Sequence, residues 1–411
     1  MHWKSSWLFF LIIIIFPICA HTQFISVKGD QIIGPDGKNF LIRGTNLGNW
    51  LVPEGYMFKF KSATSPRLIN VTLSELIGPD GAKEFWRKWQ SSYISAGDIH
   101  YLKSLGMNSI RVPFNYRIFT DPDYLGGMGE EKAFDLLDKL IGWCKSENLY
   151  VILDMHCAPA GQTGDNIDDG YGYPFLFDDA EAQDLTITIW EKIADHYKHE
   201  PVVMGYDLLN EPIAHYFDSA HFNPLLEPLY QKIVKAIRKT DPNHLIFLGG
   251  AQWDSNFRIF GPPFDDKLVY TFHKYWTATT QEVIQQYLDF RTKYKVPIYC
   301  GETGENDNTW IKNFRILLEK NNIGWHYWPY KKMNDPRGIV SFEQPSTYQA
   351  ISNYADSARN SFAEIRNLRP KDQEAVRKTL NEFLNNSLFQ NCKPNAGYIE
   401  ALGLGAKSAD R

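Results

Sequence analysis

The chain has 411 residues, 44% hydrophobic and 22% charged, which is ordinary for a globular protein and excludes a disordered, collagen-like or coiled-coil chain. A formal net charge of −5 leaves no basic footprint, so nucleic acid is not an expected partner. The 12 Trp, 22 Tyr and 26 Phe suit flat sugar or base faces, although rings in such number also serve core packing.

Residues 1–22 read as a secretory leader. Lys4 supplies the positive end, 7–17 is almost wholly apolar with four consecutive isoleucines, and Ala20, His21 and Thr22 follow. Cleavage is expected near Ala20 or Thr22. About a dozen apolar residues fall short of the roughly 20 that a membrane span needs. An uncleaved anchor and, through Cys19, a lipoprotein are the alternatives. The mature chain is expected to be extracellular or periplasmic and monomeric, with no membrane span. It keeps Cys144, Cys157, Cys300 and Cys392, whose spacing suggests neither a disulfide framework nor a zinc site. One bridge stays open.

Past the leader, 24–39 reads as a β-hairpin turning at Gly34-Pro35-Asp36-Gly37. Apolar runs follow at 40–47, 109–114, 150–156, 202–209, 245–250, 268–273, 296–301 and 323–328, eight candidate strands in all. Helical patterns lie at 96–105, 131–148, 181–198, 225–239, 280–294 and 309–321, and 347–359 follows the last strand. The interval between strands five and six holds no long helix. Near-continuous apolar strands alternating with helices predict parallel strands covered on both faces, and eight such units predict a (β/α)8 TIM barrel. An open doubly wound sheet is disfavoured because Arg43-Gly44-Thr45-Asn46-Leu47-Gly48-Asn49-Trp50 lacks its glycine-rich phosphate turn. The catalytic domain is expected over 23–361, with 362–411 a helical extension of no readable role. Two insertions, 57–92 and 161–179, are expected to wall a cleft on the face where barrel enzymes work.

Barrel sites gather at the C-terminal ends of strands. Here those ends carry Asn46 and Asn49, Arg111, Asp154 and His156, Asn210-Glu211-Pro212, His273 and Tyr275, Gly301-Glu302, and Trp328. Each has a plain structural reading: a paired arginine, a loop-bonded histidine, a glutamate capping a helix. Their coincidence on one face points further. Glu211 and Glu302, 91 positions apart in sequence, bring two carboxyl groups to one pocket. Glycoside hydrolysis needs such a pair, one to protonate the leaving oxygen and one to attack or to activate water. Arg111 beside Glu302 and a hydrogen bond from Tyr275 would suit that division. Asn210 is placed to hold a sugar 2-hydroxyl.

The set Ile110-Arg111-Val112-Pro113, Asp154-Met155-His156, Leu208-Leu209-Asn210-Glu211-Pro212, His273-Lys274-Tyr275, Gly301-Glu302 and Tyr327-Trp328 resembles glycoside hydrolase family 5, in order over roughly residues 38–355. The resemblance implies that Glu211 is the acid/base and Glu302 the nucleophile. It also implies that Arg111, His156, Asn210, His273, Tyr275 and Trp328 surround the sugar at the cleavage point. A narrower likeness to fungal exo-β-1,3-glucanases runs through residues 43–56, 93–99 and 156–162. There the acid matching Glu54, near Tyr56, grips a terminal glucose. Cys157 in place of Gly, and Pro53 and Gly55 beside Glu54, depart from that pattern and leave the linkage open. The expectation is a secreted retaining β-glycosidase acting on β-glucan, β-1,3-linked or mixed by preference, with no metal or organic cofactor. An endo-β-1,4-glucanase, a glucosylceramide-type β-glucosidase and an inactive carbohydrate-binding barrel are the alternatives.

Overall fold

The computed structural model describes residues 23–405. The leader with its cleavage point, Cys19 and the last six residues lie outside the described residues. A short antiparallel hairpin, β1 (Ser26–Lys28) and β2 (Gln31–Ile33), opens the chain. The barrel strands follow: β3 (Arg43–Asn46), β4 (Ser109–Asn115), β5 (Tyr150–Cys157), β6 (Val203–Asp207), β7 (Leu245–Gly249), β8 (Leu268–Tyr275), β9 (Ile298–Gly304) and β10 (Gly324–Trp328). All eight are parallel, and β10 pairs with β3 to close the barrel in the order expected from the sequence.

Period-two alternation explains how each strand serves two layers. On β5, Val151, Leu153 and Met155 face the outer helices and join the main core, whereas Tyr150 and Ile152 point into the barrel. Asp154 and His156 continue that inward set toward the C-terminal mouth. Ile25 and Ile32 of the hairpin pack with Ile42, Tyr150 and Leu245, so the hairpin plugs the opposite mouth. Strand β9 breaks the alternation. Its pairing with β8 skips Gly301, matching Phe272 to Cys300 and His273 to Glu302. This bulge turns Glu302 inward.

Helices differ from expectation mainly at their ends. The one expected at 225–239 spans Ser219–Ile237, because the Asp218 carboxylate accepts the Ala220 N–H and caps it earlier. Pro224 and Pro228 are accommodated inside it rather than stopping it. Residues 280–294 divide into a 3₁₀ turn, Gln281–Val283, and a helix, Gln285–Tyr294. The interval after β7 holds only short turns. No disulfide joins Cys144, Cys157, Cys300 and Cys392.

The insertion after β3 forms two helices, Pro66–Ile77 and Pro79–Ser92, each opened by a proline that suits the first helical turn. None of its residues from 57 to 92 lines the main pocket, which corrects the expectation that it walls the cleft. Its apolar face turns to the core instead. Trp89 stacks on Tyr93 and on Phe383, which comes from the helix Gln373–Asn386 of the C-terminal extension. The chain after β10 adds a small sheet, β11 (Lys331–Met333), β12 (Val340–Phe342) and β13 (Lys393–Pro394). Lys331, fully buried, ties these parts together. Its ammonium pairs with Asp98 at 3.0 Å and donates to the carbonyls of Tyr93 at 2.6 Å and Ser387 at 2.9 Å.

Removing one partner of a buried pair strands the other charge, at about 3–5 kcal/mol. Asp98→Ala is therefore expected to lower the thermal midpoint by several degrees. An unchanged midpoint in calorimetry would show that Lys331 finds equivalent partners.

Candidate active site

At the C-terminal mouth lies a pocket of about 490 Å³. Its floor is organised by Arg111 on β4, which is fully buried. The guanidinium touches five side chains. Nε donates to Asp207 at 2.8 Å, and Nη1 donates to Glu302 at 2.5 Å and Asn46 at 3.1 Å. Nη2 donates to Asn210 at 2.9 Å and lies 3.0 Å from Asp154. Burial pushes Asp154 and Asp207 up to about 7 even though Arg111 pulls both down.

Two donors converge on Glu302, because Tyr275 Oη donates to its second oxygen at 3.0 Å. Glu211 sits opposite, just past the end of β6. One oxygen of each glutamate and a ring nitrogen of His273 lie within 4.8 Å of one another. His273 Nδ1 is 2.9 Å from Glu211 and 3.8 Å from Glu302. Burial pushes the Glu211 carboxyl up to about 7, and burial pushes His273 down to about 3, so the imidazole is neutral. Glu211 also has a left-handed backbone, φ 45°, which aims its side chain into the mouth.

His156 is neutral as well, pushed down to about 4 by burial. Its Nδ1 lies 2.8 Å from Asp154, and Nε2 lies 3.4 Å from the Asn210 amide nitrogen. Arg111 holds the Asn210 oxygen, so the amide nitrogen faces His156. The His156 ring runs parallel to Trp328, with centroids 5.6 Å apart.

Glu54 and Tyr56 reach the same pocket as Trp328. The Trp328 indole N–H donates to Tyr56 Oη at 2.7 Å, and Tyr56 donates to Glu305 at 3.3 Å. Glu54 is buried with Oε1 unpartnered, and burial, then Glu302, Glu211 and Glu305, push its carboxyl well above the usual range. The ten residues expected from the sequence to form the catalytic pair and the sugar site, Arg111, His156, Asn210, Glu211, His273, Tyr275, Glu302, Trp328, Glu54 and Tyr56, therefore meet at one mouth. The second insertion contributes Asp165, Asn166 and Ile167 to its wall.

Other participants escaped the sequence reading. Asp207 lies inside an apolar run, and only its inward register beside Arg111 betrays it. Lys332 lies 2.8 Å from Glu305 and 2.9 Å from Asp335, and Arg337 is 2.7 Å from Asp335, forming a charged wall. Glu305 sits three places after Glu302, the one local clue to this wall. Trp253 and Trp276 also line the pocket. Asp154, His156 and Glu302, or Glu211, His273 and Glu302, are close enough to share a metal ion. In both sets the members are already bonded to one another or to Arg111 and Tyr275.

A closed barrel of this kind, with paired glutamates at its C-terminal mouth, defines a glycoside hydrolase acting on O-glycosyl bonds. The family model described as Cellulase (glycosyl hydrolase family 5) matches residues 71–334, and the chain belongs to that family. It is similar to a beta-xylosidase of Phanerodontia chrysosporium, 28% identical over 365 residues, covering 80% of this chain and 75% of that one. It is also similar to a probable glucan 1,3-beta-glucosidase A of Neosartorya fischeri, 29% identical, with about half of each chain covered (51% and 50%). The crystal structure of an endogalactoceramidase shares the fold, with a TM-score of 0.61 and 16% identity over 92% of this chain and 84% of that one.

The Glu211 carboxyl is expected to titrate near pH 7, protonated below and charged above, in ¹³C NMR of carboxyl-labelled protein. A midpoint in the ordinary glutamate range near 4.3 would show that the pocket solvates it.

Proposed function

We propose that this chain is a retaining β-glycosidase, with Glu302 as nucleophile and Glu211 as acid/base. The observation that carries the reading is the approach of the two carboxyl groups, an oxygen of each within 4.8 Å. Retaining enzymes hold their carboxyl groups about 5 Å apart, whereas inverting enzymes leave roughly 6.5–9.5 Å for a water. In the first step Glu302 attacks the anomeric carbon while Glu211 gives its proton to the leaving oxygen. A glycosyl ester on Glu302 results. In the second step Glu211, now a base, takes a proton from water, which attacks the same carbon and frees Glu302.

The substrate we infer is a β-glucan, β-1,3-linked or mixed by preference, entered from its non-reducing end. Three features support this. The Glu54 carboxyl, with Oε1 unpartnered, matches sugar hydroxyls, the Tyr56–Trp328 contact closes one side, and the Glu305–Lys332 wall extends that closure. A relative with the name glucan 1,3-beta-glucosidase supports the linkage, and the beta-xylosidase makes xylose a competitor for the same position. A lipid aglycone is a second reading, favoured by Trp276, 73% exposed at the pocket rim. The leader-like N-terminus supports secretion.

Two variants separate the roles. With Glu302→Ala, added azide is expected to restore an inverted glycosyl azide. With Glu211→Ala, an activated aryl glycoside still forms the ester, and azide is expected to return the retained product. Swapped stereochemistry would exchange the two glutamates, and no activity in the parent enzyme would leave a carbohydrate-binding barrel. Product analysis on laminarin, lichenan, carboxymethylcellulose, an aryl β-xyloside and glucosylceramide decides the substrate; attack within carboxymethylcellulose would overturn end-on entry.

A further inference from the structure

Behind Glu211 lies a buried carboxyl group that the mechanism above does not use. Asp254 follows β7 in a turn where Gln252, Trp253 and Asp254 all take left-handed conformations, with φ of 53°, 57° and 55°. None is glycine, and each such residue costs about 1–2 kcal/mol. The turn is held by the Gln252 amide, which donates to Asn223 at 2.8 Å and accepts from Asn256 at 2.8 Å. Gly249 makes room for it, since a Cβ there would lie 1.8 Å from Asp254 Oδ1. So much local strain for one carboxyl group calls for a reason.

The carboxyl oxygens show what that reason is. Oδ2 accepts the backbone N–H of Glu211 at 3.2 Å and lies 3.3 Å from Nε2 of His273. That second contact is long and poorly aligned, yet among the described residues Nε2 has no other hydrogen-bond partner and Oδ1 has none. Buried polar atoms rarely stay unpaired, and these two groups face each other. If both were bare acceptors or the carboxyl were an anion, the cluster would hold an uncompensated charge in a dry place.

The groups facing Asp254 do not supply that compensation. Asp207 and Glu211 are acids from the end of β6, and Arg111 on β4 is committed to the five side chains named above. The phenols of Tyr230 and Tyr287 donate elsewhere, to the Gly249 and Ser255 carbonyls. Burial, then Asp207 and Glu211, push the Asp254 carboxyl well above its ordinary range. The neutral acid has one proton to give and one bare acceptor nearby, Nε2.

We propose that Asp254 is a positioning residue for Glu211: it donates a hydrogen bond to Nε2 of His273, holds the imidazole in its Nδ1–H tautomer, and so leaves Oε2 of Glu211 to carry the acid proton. Nδ1–H then donates to Glu211 Oε1, the oxygen 2.9 Å away. With Oε1 occupied as an acceptor, the proton of Glu211 lies on the other oxygen, free for the leaving group. In the opposite tautomer Nδ1 would be an acceptor and would draw that proton away from the substrate. This assignment rests on Glu211 being the acid/base, but the tautomer itself does not.

Asp254→Asn tests both parts. Its amide oxygen can still accept the Glu211 N–H, but from that position it can only accept from His273, so the ring should switch to Nε2–H. In ¹⁵N-histidine NMR of the whole enzyme at neutral pH, with the signal assigned by His273→Gln, the parent protein should show a protonated Nδ1 and a bare Nε2. Asp254→Asn should reverse them. Its kcat on aryl glycosides with poor leaving groups should fall about 10–100-fold. Its KM, and its rate of ester formation from a dinitrophenyl glycoside, should stay within twofold. An Nε2–H tautomer in the parent protein would overturn the proposal, and needs no variant to be seen. An equal loss on both substrates would make Asp254 merely structural and overturn it too. A reversed tautomer with no selective loss would overturn instead the reading of Glu211 as the acid.

Discussion

A guanidinium cannot shed its charge inside a protein, so a barrel that buries one must build its surroundings to match. Moving such an ion out of water costs several kcal/mol, which only close, well-oriented partners offset. Arg111 has this effect on the whole upper layer of the barrel. Asp154 from β5, Asp207 from β6 and Glu302 from β9 meet it as acids, and Asn46 and Asn210 meet it as amides. Three of these groups meet a further side chain in turn. Asp154 faces the ring of His156, Asn210 turns its amide nitrogen toward the same ring, and Glu302 lies between Arg111 and Tyr275. A single cation thus fixes side chains from four other strands, β3, β5, β6 and β9, in one geometry.

The two glutamates receive different surroundings, which fits the division of work proposed for them. Glu302 accepts hydrogen bonds from a cation and a phenol, which fix its orientation in the pocket. Glu211 lies apart from Arg111 and faces a neutral imidazole, so burial dominates and it holds its proton up to about pH 7. Pairs of carboxyl groups whose environments diverge in this way are how one pocket provides both an acid and a nucleophile. The rest of the fold keeps that contrast in place. The hairpin seals the far mouth, and the C-terminal extension packs Phe383 against Trp89 of the insertion after β3.

Much of this was legible in the sequence, because strand periodicity and strand ends are local signals. The eight strands fall where the apolar runs lie, and the residues at their ends meet at one mouth. What stayed hidden depends on register or on backbone shape. Gly301 carries no sign that it is skipped in pairing, yet that bulge is what turns Glu302 inward. Asp207 sits in a run that reads as apolar, and Gln252-Trp253-Asp254 has no glycine to announce a left-handed turn. The insertion over 57–92 misled for another reason. Its position after β3 suggests a cleft wall, but Trp89 packs on Phe383 of the C-terminal helix, and none of its residues lines the mouth. The Glu305–Lys332–Asp335 wall depends on an ion pair between residues 27 places apart, Glu305 and Lys332, which no periodicity reports.

The central claim is that Glu302 becomes covalently bonded to the sugar. A 2-deoxy-2-fluoro β-glycoside with an activated leaving group slows both steps but release most, so the ester accumulates. Intact-mass measurement followed by peptide mapping should show one fluoroglycosyl group per chain, on Glu302. A label on Glu211, or none while the compound is still hydrolysed, would contradict the account.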